Sequence, residues 1–372
     1  AVLFGSAHTL APVVAGPGVT GTVPLSTWHA PLAETPGDTV VYRFDSGQEG
    51  GRALILFGTH PNEPASVVAG TVFMENAVCR AGRVYALAHA NASGFTHGDP
   101  QEAYLQRFEI ERPDGSRRWF NFGSRYTNPI HQWPDPTLHV NPAGQILAGV
   151  DARNLNRCFP GRPDGVLTEQ VAWAICELVR REEIDLVVDV HEAAPEYPAV
   201  NVMIAHERAQ TLAATAQILL EDMIPGFAIN LEQSPQALRG LSHREIGDHT
   251  AAQAILLESA NPSQGRLKGR TTETQVVDGS DPAYQWAYQV QLQRTASNGD
   301  SNERPLLRGL PYDTASVTYP MAVRVARHLA CVQEFIANLE SPRGPATVEG
   351  IPSYQEIVEQ GIGAFLAPPP ES

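Results

Sequence analysis

Four short apolar runs, each ending in polar residues of a kind that does chemistry, constrain this chain more than any other feature. Ala53–Phe57 is unbroken and ends at Gly58-Thr59, which suits a strand buried on both faces. Arg83–Ala90, Ile184–Val190 and Ala254–Leu257 read the same way. Between the runs lie helical patterns. Pro64 suits the first position of a helix through Ala65–Glu75, where its missing N–H costs nothing. Thr168–Glu183 places Val171, Ile175, Leu178 and Val179 on one face, with Thr168 as its expected cap. Thr39–Phe44 and Val200–Ala205 add strands, and Glu207–Met223 adds a helix. Thr318–Leu339 reads as a long closing helix with Pro320 in its first turn, burying Val325, Leu329, Val332, Phe335 and Ile336. Strands alternating with helices predict an α/β fold: a mixed, mostly parallel central sheet with helices on both faces.

A length of 372 residues fits one large domain with insertions. Residues 1–38 are rich in Pro, Gly and Thr without helical period, and are expected to wrap the surface. The domain spans 39–341, and 342–372 forms a Pro-rich tail. Within it, about 96–149 reads as a loop and hairpin insertion, polar and aromatic-rich, with strands Phe108–Glu111 and Arg118–Phe122 around Pro113-Asp114-Gly115. Gln275–Leu310 is polar and reads as partly irregular. The formal charge of -15 argues against nucleic acid as a partner. No run approaches the roughly eighteen apolar residues that span a bilayer. Cys79, Cys158, Cys176 and Cys331 lack the spacing of a cysteine zinc site. Residues 1–20, small, apolar and Gly/Pro-rich, resemble the stretch after an export signal or anchor. That reading leans towards export, with the cytoplasm as the alternative.

In a parallel sheet, ligands bind beyond the carboxyl ends of the strands. His60, Asn91, His191 and Glu258 all fall just after predicted strands. His60 and Glu63, three apart in the turn GTHPNEP, can converge on one point, a start on a zinc site, which takes a few N and O donors and keeps an open position. Asp189 stands two before His191 at the same strand end.

The ordered set GTHPNEP, NLNRCFPG, VVDVHEA and LLESANP resembles the zinc metallocarboxypeptidase superfamily, and within it the succinylglutamate desuccinylase/aspartoacylase-like branch. The resemblance covers roughly 39–341 and leaves 96–149 unmatched. It implies one zinc per chain on His60, Glu63 and His191, with Asn156 and Arg157 holding a substrate carboxylate. It implies that Glu258 is the catalytic base, and that an arginine, either Arg153 or Arg125, steadies the oxyanion. The substrate it implies is an N-acyl amino acid or a small peptide-like amide with a free carboxylate. The alternatives are a true carboxypeptidase and a non-catalytic metal- or ligand-binding protein. Three positions depart from the family pattern. Asn154 stands where an aspartate is usual, with Asp151 nearby. Residues 225–257 lack the tyrosine of peptide-cleaving members, having only His243 and His249. Only about thirty residues follow the last helix, where desuccinylases carry a β-rich domain. Arg266, Lys268 and Arg270 follow Glu258 closely and are candidates to receive an acidic substrate group.

Overall fold

The computed structural model describes residues 9–98, 105–265, 268, 270–298 and 318–370. Arg266 and residues 299–310 therefore lie outside the described residues, as do the first eight residues and 99–104 of the insertion.

Eight strands form one sheet: β1 (Gly21–Pro24), β2 (Val40–Asp45), β3 (Arg52–Leu56), β5 (Arg83–Leu87), β10 (Leu186–Ala193), β11 (Val202–Ala205), β12 (Asn230–Gln233) and β13 (Gln253–Ala260). Their spatial order is β1-β2-β5-β3-β10-β13-β11-β12. The central four, β5-β3-β10-β13, are mutually parallel, and antiparallel pairs occur only towards the two edges. These four are the apolar runs singled out in the sequence.

Alternation along the strands divides the core into two layers. Ile55, Phe57, Val188, Val190, Ile255 and Leu257 pack on one face with α1 (Pro64–Asn76), α3 (Gln210–Met223) and α7 (Met321–Ala337). Leu54, Leu56, Leu87, Val187 and Ala254 pack on the other with α2 (Leu167–Arg181), Ile246 of α4 (Ser242–His249), and Leu25, Trp28 and Leu32 of the N-terminal segment. The 1–38 stretch thus does more than wrap, since it supplies the edge strand β1.

Of the remaining elements, β4 (Val78–Ala81) pairs with β14 (Thr347–Glu349) of the tail, which also forms α8 (Tyr354–Gln360). The insertion carries two hairpins, β6 (Arg107–Glu111) with β7 (Arg117–Asn121), and β8 (Leu138–Val140) with β9 (Ile146–Ala148). Residues read as partly irregular hold α5 (Glu273–Val277) and α6 (Pro282–Asn298).

Two local expectations differ from the structure. Thr168 lies inside α2, whose N-cap is Val166; its hydroxyl instead joins Thr127 Oγ1 (2.8 Å) and Gln132 Oε1 (2.7 Å) in a buried network. The strand read over Ala254–Leu257 does not stop before Ser259-Ala260. β10 and β13 overrun together to Ala193 and Ala260, and Asn261 N–H still reaches Ala193 O at 2.8 Å. Pro262, which has no N–H, ends the ladder.

Candidate active site

The chain leaves β3 through Gly58, whose φ of 69° and close neighbours (Phe95 ring and Ala88 O within 2.8 Å of any added Cβ) exclude a side chain. That sharp exit turns Thr59 and His60 over the sheet's carboxyl edge. Glu63 N–H closes the turn on His60 O (3.1 Å), and Pro64 then opens α1. Across the sheet, His191 sits directly opposite Glu258 in the β10–β13 register.

Three donors meet here. His60 Nδ1 lies 2.8 Å from Glu63 Oε1, and His191 Nδ1 lies 2.8 Å from Glu63 Oε2. The two Nδ1 atoms are 3.1 Å apart. All three residues are buried, and among the described residues they are the one group of this kind whose donor atoms could share a metal ion. The far nitrogens fix the tautomers. His60 Nε2 donates to Asn154 Oδ1 (2.9 Å), and His191 Nε2 faces Asp189 Oδ2 at 2.9 Å. In the neutral tautomer each Nε2 carries the proton and both Nδ1 atoms are free to bind a cation; without one, the charge that Asp189 and Glu63 favour on His191 lets its Nδ1–H donate to Glu63 Oε2. A His₂Glu set whose nitrogen and oxygen donors converge in this way suits zinc.

Electrostatics agree. Burial, helped by Arg125, pushes His60 down to about 4, so its ring is neutral at pH 7. Burial opposes charge on His191, but Asp189 and Glu63 outweigh it and hold the ring well above the usual imidazole range. Burial would raise Glu63, yet His60 and His191 keep it well below the usual carboxylate range. The pocket concentrates negative potential where a dication would stand. Asp189 is itself held by Thr59 Oγ1 (2.7 Å) and Ser242 Oγ (2.5 Å), and Glu63 Oε2 accepts the Glu192 N–H (3.0 Å).

The other candidate residues separate clearly. Arg125 reaches the donors, with Nη2 3.0 Å from Glu63 Oε1, and remains 30% exposed. Arg153 does not. Its Nε and Nη2 clasp Asp135 at 2.7 and 2.9 Å, and Nη1 donates to Thr127 O. Burial lowers Arg157, and the nearby Arg125 charge lowers it further; no carboxylate among the described residues lies within ion-pair distance of it. Asn156 Oδ1 accepts the Ser242 N–H (2.8 Å), which leaves its amide nitrogen to donate. Glu258 is partly exposed at the mouth, and its buried Oε2 has no hydrogen-bond partner. Burial, then the Glu63 charge, pushes Glu258 up to about 8. Lys268 donates to Thr271 Oγ1 (2.9 Å), and Arg270 is also engaged.

Sequence reasoning gave no role to Asn154 beyond its departure from a pattern, and none to Ser242 or Glu192. Asn154 is three residues from Asp151 and two from Asn156, and only the fold reveals that it faces His60. Glu192, a charged residue inside a strand between Val190 and Ala193, carried a signal: an ionised side chain there must have a buried partner.

No family model matches the chain, and no curated protein matches it. Solved structures do. A succinylglutamate desuccinylase from a Silicibacter species is 15% identical, covers 62% of this chain and 55% of its own, and has a TM-score of 0.36. A metallo-carboxypeptidase from Burkholderia cenocepacia is 12% identical, with coverages of 74% and 61% and a TM-score of 0.38. A cell shape determinant protein from Helicobacter pylori is 10% identical, with coverages of 83% and 54% and a TM-score of 0.41. The chain spans a little over half the length of the solved structures it matches.

Proposed function

We propose that the chain is a zinc-dependent hydrolase of C–N amide bonds, acting on an N-acyl amino acid or a small peptide-like amide with a free carboxylate. One observation carries this reading. Two imidazole Nδ1 atoms and a carboxylate converge within 2.8–3.1 Å, and an unpartnered glutamate stands directly across the ladder from one of them.

His60, Glu63 and His191 would hold the ion. Zinc bound there supplies a water of lowered pKa and polarises a carbonyl. The chain's own groups then have these roles. Glu258 accepts a proton from the attacking water and returns it to the leaving nitrogen, a task that suits a carboxyl raised by burial. A nearby dication lowers that value again, bringing it towards neutrality. Arg125, partly exposed beside Glu63, donates to the substrate oxygen as it gains charge. Arg157, without a carboxylate of its own, receives the substrate carboxylate in a two-point fork, helped by the Asn156 amide.

The test pairs metal analysis with a screen of N-acyl amino acids against short peptides. About one zinc per chain and turnover of N-acyl amino acids support the reading. Zinc with turnover of peptides alone replaces it with a carboxypeptidase, and zinc with no turnover of either leaves a binding protein.

A further inference from the structure

Behind the site, on the opposite face of the sheet, lies a second buried charge cluster. Strand alternation directs Asp189, His191 and Glu258 to one side, and Glu192 and Ser259 to the other, towards α1 and α7. There Glu192 Oε1 pairs with Arg324 Nη1 of α7 at 2.7 Å, with both side chains fully buried. A buried pair of this kind is weak evidence for stability, because desolvation offsets much of its attraction. Its other contacts point to a different role.

Glu192 Oε2 accepts the Ala65 N–H at 2.9 Å, two residues beyond Glu63, and Asn261 Nδ2 at 3.3 Å. Glu192 Oε1 also lies 3.4 Å from Ser259 Oγ, the residue after Glu258, and Ser259 Oγ in turn meets His328 Nε2 at 3.0 Å. The backbone N–H of Glu192 donates to Glu63 Oε2. Arg324 is itself tied to Val276 O. One carboxylate thus touches Ala65, two residues past Glu63, and Ser259, next to Glu258, and it adjoins His191 in the chain.

We propose that Glu192 is a positioning residue: held by Arg324, its carboxylate fixes the start of α1 and the end of β13 against β10, and so sets the spacing of the zinc ligands and of Glu258. It touches neither metal nor substrate. This inference rests on the three-ligand reading above. A shorter or apolar side chain at 192 releases the Ala65 N–H, Glu63 shifts with the α1 start, and the donors lose their preset separation.

The experiment titrates zinc into the metal-free full chain against a competing chelator and measures melting of the same metal-free samples. Glu192→Leu with Arg324→Met replaces the pair by apolar groups of similar size, a change that often leaves a fold intact. The expected result is a metal-free melting temperature near that of the wild type, with zinc affinity lower by about 10- to 100-fold, the usual effect of losing an outer-shell support. Glu192→Asp keeps the charge but is one methylene too short to hold both Ala65 N and Arg324, and is expected to lower affinity on the order of tenfold. It decides the matter should the double variant not fold. Unchanged zinc affinity in either folded variant overturns the proposal and leaves the three-ligand reading standing. No zinc uptake by the wild type overturns both.

Discussion

The two edges of the central sheet treat charge in opposite ways. At the edge where β3, β5 and β10 begin, three arginines find partners near solvent. Arg83 meets Asp45 at 2.7 Å, Arg52 meets Glu183 at 3.2 Å, and Arg343 bridges Asp185 and Glu183 at 2.8 Å each. At the edge where the same strands end, charges are withdrawn from water and left incompletely paired: Glu258 Oε2 lacks a partner, and two imidazoles face each other. Matched surface pairs contribute little and ask for nothing more. Buried unmatched groups are costly, and a fold retains them where a ligand completes them.

The strongest way to break this contrast is Glu258→Gln. It is nearly isosteric and leaves the three ligands in place, so zinc content is expected to persist while turnover falls by about 10² to 10⁴, the usual worth of a positioned acid–base group. Full activity in a zinc-loaded variant would remove Glu258 from the mechanism. Arg157→Lys comes next. It keeps the charge and loses one arm of the fork, and a charged hydrogen bond of about 1.5–3 kcal/mol corresponds to a roughly 10- to 100-fold loss in kcat/KM on acid substrates. Equal loss on the matching amides or esters would show that Arg157 serves something other than a carboxylate.

A smaller effect sharpens the contrast through pH. In the chelator-treated protein Glu258 titrates at about 8, above its ordinary 4.5. A raised carboxyl contributes its full stability below the lower value and loses it as pH rises through the higher one. Metal-free Glu258→Gln is therefore expected to melt above metal-free wild type at pH 8, with the gap closing towards pH 4.5. A constant gap across that window would place the Glu258 titration elsewhere. The smallest effect belongs to the other edge. Arg343→Ala removes two partly exposed pairs, which should cost no more than about 1 kcal/mol and leave turnover unchanged. A loss of turnover there would mean that the two edges are coupled.

Much of this was legible in the sequence because the signals were local. Apolar runs mark buried strands, and Pro64 marks the start of α1. The i, i+3 pair His60 and Glu63 shares one turn by covalent necessity, and His191 and Glu258 each follow an apolar run that reads as a strand. What stayed hidden depended on loops and pairing. Arg125 and Arg153 were equal candidates because both belong to irregular chain, where spacing fixes no direction; Asp135 and Thr127 settle Arg153, and neither is near it in sequence. Thr168 had the pattern of a cap, but tertiary partners claimed its hydroxyl. The overrun of β10 and β13 was hidden because each strand extends only while the other does.

His191 and Glu258 face each other across one parallel ladder. Their separation is set by backbone pairing at about 4.8 Å between strands, not by a hinge or a long side chain. Such a pair tolerates wide variation in the loops, yet parity along either strand is fixed: deleting one residue before His191 in β10, or before Glu258 in β13, would turn that side chain to the far side of the sheet. Insertions are therefore tolerated at exposed turns such as Pro113-Asp114-Gly115, which lie outside both strands. The distance from Leu186 to His191, and from Gln253 to Glu258, is the part of the chain that cannot be edited by a single step.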